Sequence, residues 1–587
     1  MHKMILAVLL LAVVGTSTAQ TLPSSRATDW TKAGLVDTAT TPSTIIDLQN
    51  AGLIADGTTP NDTILDSIIN TLSPAGAVLE FPNGDFLFNN TIALPSNVVL
   101  RGQGMQHTQL IMDLGGQGHS IQIQGNAPSD TSTILQSTAK DSFYLQVWNS
   151  QNFAVGDWVQ IKQQDADLIT SSWANNSVGQ ILQIDSISGQ MLWFRSPLRM
   201  DCDTARQPYL IQLNPKQNCG IECLKIKRID DTAPQQSANI LFKYAVNCWV
   251  KNIESENCTF SHVRGEQSSN LYIGHSYFHH GFTYGGNGRA YGVALQYTTG
   301  ECLVEDNIFE HLRHSILLQA GANGNVFTFN YSFDPHWDIV PNDAAGDMVL
   351  HGNYPFCNLF EQNIVQNIVI DNSHGANGPY NTFLRNRAES YGIFFSDTTS
   401  PMQNLIGTEI TNLSFPYSFV NYTIQGSGHF LHGNDNKGTI VPANTSNLPD
   451  ISYAYAQAPD FITNAQWAAI GTPNPVNSGN IPAKNRVAQN NFGVGCSEII
   501  MNTTTIPTTT DFMVYPNPIY RDLNLESKKK MENIYICNEL GQIVYQNTVN
   551  AFTVNLQLPN LVNGIYLVRI QFADQSSAIQ KVVKINY

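Results

Sequence analysis

NVFTFN (325–330), NLFEQN (358–363) and NTFLRN (381–386) are three copies of one short phrase, each opening and closing on Asn. Looser copies extend it in both directions: NCWVKN from Asn247, NLYIGH from Asn270, CLVEDN from Cys302 and NLIGTE from Asn404. Their start-to-start spacings are 23, 32, 23, 33, 23 and 23 residues. Self-similarity at such a period is the mark of a solenoid, in which each repeat buries its apolar face against its neighbours. Within each copy, apolar and polar residues alternate as they do in a half-buried strand. A second apolar strand recurs as YGVALQ, SILLQA, MVLHG, IVID and GIFFS. No amphipathic helix intervenes, so the repeats predict stacked β-coils rather than α/β units.

The sixth residues of the copies are Asn252, His275, Asn307, Asn330, Asn363, Asn386 and Glu409. Coils of a β-solenoid stack at roughly 4.8 Å, which sets equivalent residues directly above one another. A column of Asn can then pass hydrogen bonds from amide to amide. This column is expected to be architectural rather than ligand-binding.

Outward from the repeats, an N-terminal cap is expected. DGTTPND (56–62) precedes a helix over 61–72 that sets Ile64, Leu65, Ile68, Ile69 and Leu72 on one face. The order DGTTPNDT, short helix, GAVLEFPNGDF (76–86), LPSNVVLRGQG (94–104) resembles the opening of the pectate-lyase superfamily. That resemblance implies a right-handed parallel β-helix. It does not choose among the lyases, hydrolases, epimerases and phage-tail modules that share this fold.

The expected organisation is a signal peptide over 1–19, the cap and first strands over 20–139, an inserted β subdomain over 140–237, and the parallel β-helix with its C-terminal cap over 238–500. A Thr-rich linker (501–511) and a β-sandwich (512–587) follow. The signal-peptide reading rests on Lys3, the apolar stretch 5–15 and the small residues Ser17-Thr18-Ala19. The tail strongly resembles the C-terminal sorting domain of the type IX secretion system. Pro516-Asn517-Pro518, Gly541-Gln542, Leu561, Gly564, Tyr566, Lys581 and Lys584 carry the match. It implies contact with that secretion machinery, passage across the outer membrane of a Gram-negative bacterium, and later removal of the domain.

A net charge of −16 with only 13% charged residues argues against nucleic-acid partners. No apolar run is long enough for a transmembrane segment. Nine cysteines leave at least one thiol without an intramolecular partner. Cys202, Cys219 and Cys223 are candidates for bridging, whereas Cys248, Cys302 and Cys357 fall in repeat strands as apolar filling.

Nine of the fourteen histidines lie between His262 and His374. Two coils are lengthened, at HHGFTYGGNGR (279–289) and DPHWDIVPNDAAGD (334–347), and they flank the short turn HLRHS (311–315). Two long loops around a short turn predict a walled trough floored by His311, Arg313 and His314. Counting from the anchors stacks His279, His311 and Asp334 in one column, and Tyr291, His314 and Asp347 in another. The candidate catalytic residues are therefore His311, Arg313, His314, His279 and Tyr291. Arg289, Tyr284, His336, Trp337 and His351 are candidates for holding substrate.

A trough across a solenoid suits a polysaccharide. For a uronate polymer cleaved by β-elimination, a cation must neutralise the carboxylate and a base must remove the C5 proton. Arg313, Arg289 or Ca²⁺ could serve as the cation, with Asp334, Asp343 and Asp347 as weak metal candidates. A polygalacturonase-like glycoside hydrolase and a non-catalytic glycan-binding protein are the alternatives.

Overall fold

The computed structural model describes residues 21–36, 41–127, 130–230, 236–415, 423–462, 470–496 and most of 512–584. The signal peptide, the Thr-rich linker, Pro518 and Gly541-Gln542 lie outside the described residues. The chain divides into two compact units, 1–496 and 497–587.

The first unit is the right-handed parallel β-helix that the repeats predict. Each regular coil contributes three strands. The first sheet holds twelve parallel strands, among them Trp249–Lys251, Tyr272–Gly274, Leu303–Glu305, Val326–Thr328, Leu359–Glu361 and Thr382–Leu384. The second strand of successive coils is Glu254–Cys258, Tyr277–Gly281, Ile308–Glu310 and Tyr331–Phe333. The third is Ser261–Glu266, Tyr291–Gln296, His314–Leu318 and Met348–Leu350. Inside, like residues stack on like. Val304, Phe327, Phe360, Phe383 and Leu405 form one in-register column, all at most 1% exposed. The Phe360 and Phe383 rings lie parallel at 4.8 Å. Each such buried ring contributes on the order of 1.5–3 kcal/mol.

The Asn column is present, with its register corrected. Strand pairing spaces the coils by 23, 31, 23, 33, 23 and 22 residues. The column is therefore Ser276, Asn307, Asn330, Asn363, Asn386, Thr408 and Asn434. Asn252, His275 and Glu409 sit one place off it. Backbone N–H groups of Asn307, Asn330 and Asn363 donate to the Oδ1 of the next coil's Asn at 3.0–3.1 Å. Each carboxamide also donates to a strand carbonyl, as Asn330 does to Val304 at 2.9 Å. A second ladder runs parallel to it through Asn325, Asn358 and Asn381, and ends on Gln403.

The helix Asp62–Thr71 caps one end, with Leu65 and Ile69 buried. At the other end the fully buried Arg385 donates to the carbonyls of Ile470, Thr472 and Pro449. The strands Thr131–Thr133 to Tyr209–Leu213 form a separate six-stranded antiparallel sheet with its own core around Leu145, Val159, Leu182 and Leu210. Polar contacts seat it on the turns that follow the third strands. Gln160 donates to Thr298 at 3.0 Å, and Arg199 reaches Asn323 at 2.9 Å and pairs with Glu301.

The second unit is a five-stranded antiparallel sheet from Phe512–Tyr515 to Ser577–Lys584. Leu523, Leu525, Ile534, Ile536, Val568 and Ile570 make its core.

Candidate active site

The third sheet carries a polar column on its outer face. Lys243, Glu266, Gln296, Gln319 and His351 stack in register on five successive coils. At the 4.8 Å coil spacing this spans roughly 20 Å. The carboxamides are chained: Gln319 donates to Gln296 at 2.5 Å, and Gln296 to Glu266 at 3.1 Å. The column floors an open groove whose two chambers measure about 510 and 500 Å³ and share Trp173 and Tyr297.

One wall comes from the lengthened coil, where Asn287 and Gly288 join Phe260 and Gln236. The other comes from the inserted subdomain. Its loop is fixed by Asn353 Oδ1, which accepts the backbone N–H groups of Thr170 and Ser171 at 2.9 and 3.0 Å. That places the Trp173 ring edge-on to Tyr297 at 5.8 Å and to His374 at 5.2 Å.

His351 lines the first chamber, and its Nδ1 lies 2.6 Å from Asp371 Oδ2. Burial is the largest single influence on the Asp371 carboxyl and raises it, but the bond to His351, the charge of that ring and the Ser373 N–H together hold the group below its ordinary value. Asp371 is thus ionised and fixes Nδ1 of His351 as the protonated nitrogen, leaving Nε2 as a base. Arg313 enters the same chamber over the faces of Tyr291 and Trp337, at 5.9 and 5.6 Å, and donates to the Gly285 carbonyl at 2.7 Å. Tyr291 stacks under His314 at 4.9 Å. His314 is sealed behind the groove with Nδ1 bonded to the Gly346 carbonyl at 2.7 Å. Burial, then the Arg313 charge, push its pKa down to about 3, so it stays neutral. The second chamber brings Lys243, Arg264 and His119 around Glu266. Burial lowers His119 to about 4, so the positive charge there is that of Lys243 and Arg264.

The residues expected to share one trough divide between two places. Arg313, Tyr291 and His351 meet in the groove, with His314 directly behind. His311 belongs instead to a ring stack on the neighbouring turn. It lies 5.0 Å from His280 and 4.4 Å from His336, with Tyr284 edge-on to His311 and His336. His311 Nδ1 bonds Asp334 at 2.7 Å. The coil spacing of 31 sets His280, not His279, against His311. His279 pairs in register with Glu256 and Glu310 on the second sheet. Arg289 stands in the loop wall, half-buried.

The three Asp metal candidates do not converge. Asp334 is taken by His311. Asp343 faces Tyr391 at 3.5 Å. Asp347 stacks on Ser315 rather than under His314 and is wholly buried, accepting from Gln366 N–H at 2.7 Å and Ser315 at 3.3 Å. Burial pushes Asp347 up to about 7. Among the described residues, one cluster has metal-ligand spacing, Glu254, Glu256 and His279. Lys225 and Lys227 already neutralise its carboxylates at 2.5–2.9 Å.

Trp173, Gln296, Tyr297, Gln319, Asp371 and His374 escaped the sequence reading. Gln296 closes YGVALQ and Gln319 falls in SILLQA, so the Gln shared by these two third-strand segments was the available signal. Trp173 had none, since its partners are more than a hundred residues away.

Residues 513–585 match the secretion system C-terminal sorting domain family. The chain thus carries the signal for type IX secretion, to the cell surface or beyond. No curated protein matches the chain significantly. Among solved structures it is similar to the tailspike protein gp49 from Pseudomonas phage LKA1, at 14% identity and a TM-score of 0.49, covering 62% of this chain and 64% of that one. It is also similar to an exopolygalacturonase from Thermotoga maritima, at 10% identity and a TM-score of 0.36, over 64% and 83% of the two chains. The A-module of the mannuronan C-5 epimerase AlgE6 from Azotobacter vinelandii is a third, at 12% and 0.32, over 67% and 98%.

Proposed function

We propose that the exported protein is a polysaccharide lyase that cleaves a uronate-containing chain by β-elimination in the groove on the third sheet. One observation carries this reading. The first chamber is lined by Arg313 and by His351, whose Nδ1 is bonded to Asp371 outside the lining, and among the described residues no carboxylate lines it. Hydrolysis of a glycoside by the usual route needs two carboxylates flanking the bond. Elimination needs a cation and a base, and Arg313 and His351 supply them.

In this reading Arg313 pairs with the C6 carboxylate and draws charge from C5, so the C5 proton becomes acidic. His351 Nε2 removes that proton, and Asp371 stabilises the imidazolium that results. The electron pair forms the C4–C5 double bond, the C4–O4 bond breaks, and O4 leaves with a proton. His374, which lines the same chamber, gives that proton from its charged form in this reading, and the lowering of its pKa by burial favours giving it up. The roughly 20 Å groove, with Lys243 and Arg264 at its far chamber, supports binding of several sugar units of an anionic polymer.

The test is incubation of the secreted protein with a panel of uronate polysaccharides. Release of a product absorbing in the ultraviolet supports elimination. New reducing ends without absorbance would establish a hydrolase, and affinity without product a binding protein.

A further inference from the structure

Beyond the groove, we propose that Cys223 and Cys496 are joined by a disulfide in the exported protein, pinning the end of the first unit to the coil that it covers. Cys496 closes a segment laid across the turn between the first and second sheets. Val494 N–H donates to Asn252 Oδ1 at 3.0 Å, and a side chain at Gly493 would collide with that same oxygen and with Met105. The segment is thus packed closely against the Asn252 carboxamide and Met105. From it, the Cys496 thiol comes within hydrogen-bonding reach of the Cys223 thiol. Asn252 Nδ2 touches both sulfurs, at 3.0 Å to Cys496 and 3.9 Å to Cys223. Cys223 leaves the strand Gly220–Glu222 in a left-handed conformation, φ 55°.

The remaining described cysteines differ in kind. Cys219 and Cys248 also stack on adjacent coils, but both are fully buried inside the β-helix, whereas the pair of Cys223 has one partly open member, Cys496. Cys202, Cys258, Cys302 and Cys357 are likewise buried. Cys496 is half-buried, on the rim of a cleft of about 380 Å³ formed with Gln103, His107 and Asn252. Contact with Cys223 holds its thiol below the ordinary range, which favours the attacking thiolate.

Export carries the protein out of the reducing cytoplasm. The oxidant is a disulfide-bearing thiol oxidoreductase outside the cytoplasm. Cys496 thiolate attacks one of its sulfurs to give a mixed disulfide. Cys223 thiolate then displaces it, and the oxidoreductase leaves as a dithiol that carries the two electrons and, by way of solvent, the two protons released by the cysteines. The bond lies just ahead of the sorting domain, so it fastens what becomes the C-terminal end once that domain is removed.

Protein recovered from the medium should be denatured, alkylated without reductant, digested and mapped by mass spectrometry. A peptide pair linked through Cys223 and Cys496, lost on reduction, is expected. In Cys496→Ser the pair should vanish, Cys223 should become alkylated, and trimming by carboxypeptidase into 480–496 should rise several-fold. Separate alkylation of both residues in the unreduced wild type would overturn the proposal. So would protection of both thiols that a chelator, not a reductant, removes. The wild-type map needs no variant, so a failure of the serine variant to fold leaves the test intact.

Discussion

His351 Nδ1 and Asp371 Oδ2 lie 2.6 Å apart on successive coils, because the pairing of Leu350 with Ile370 brings the next residue of each strand side by side. Strand register alone builds the pair. His351→Ala should lower kcat on a uronate polymer by roughly 10²–10⁴-fold, read as the rate of ultraviolet absorbance. Asp371→Asn keeps the shape but releases the tautomer, and should lose most of that rate with little change in KM.

Arg313→Ala should reduce kcat/KM by about 10²–10³-fold, the scale expected when a group that stabilises developing charge is removed. Arg313→Lys keeps the charge but not the planar stacking on Tyr291 and Trp337, and should recover only part. On a substrate whose carboxylates are methyl-esterified the two variants should differ less. Rates on paired esterified and free polymers check this.

Asp347 links stability to pH. Its folded pKa is raised to about 7, above the unfolded value of about 3.9. Its stability contribution is therefore full below the unfolded pKa and lost as pH rises through the folded one. Asp347→Asn should gain thermal stability over wild type at pH 8.5, and the gain should shrink toward pH 4. Melting curves at both pH values decide it. His314 has the opposite sign. Its depressed folded pKa gives stability that is present above about 6.5 and lost as pH falls toward 3.

Asn330→Ala removes the acceptor of the Asn307 N–H and the donor to the Val304 carbonyl. Each buried group left unsatisfied costs about 1–3 kcal/mol. Denaturant unfolding of the first unit should show at least that loss. Asn252→Ala, off the ladder, should leave both Asn ladders intact.

A chain lacking residues 513–585 should fold its β-helix yet stay inside the outer membrane. Cell fractionation with antibody to the first unit tests this, and normal release into the medium would contradict the sorting role.

The period of the Asn phrases made the solenoid legible, and the lengthened coils marked the face on which the groove lies. What counting could not see was a slip of one residue. The coil from Tyr272 to Leu303 is 31 residues, not 32, and in a strand one residue reverses the face a side chain meets. That slip replaced His280 by His279 in the expected stack. A similar slip placed Asp347 under His314, when it is buried beside Ser315. The groove's second wall was hidden for another reason. Trp173 reaches Tyr297 and His374 only because a separately folded sheet is seated on the coils, and no local pattern encodes such a contact.

The Asn ladders also have a direction. The backbone N–H of each coil is satisfied by a carboxamide belonging to the coil that follows it in the chain, Asn307 by Asn330, Asn330 by Asn363, Asn363 by Asn386. A helix wound from its N-terminal end thus always presents one row of waiting amides, and each newly made coil both completes the last and exposes the next. An end exposed at any of these coils would therefore carry a defined pair of unmet backbone amides, one from each ladder, and so be sticky in a fixed pattern.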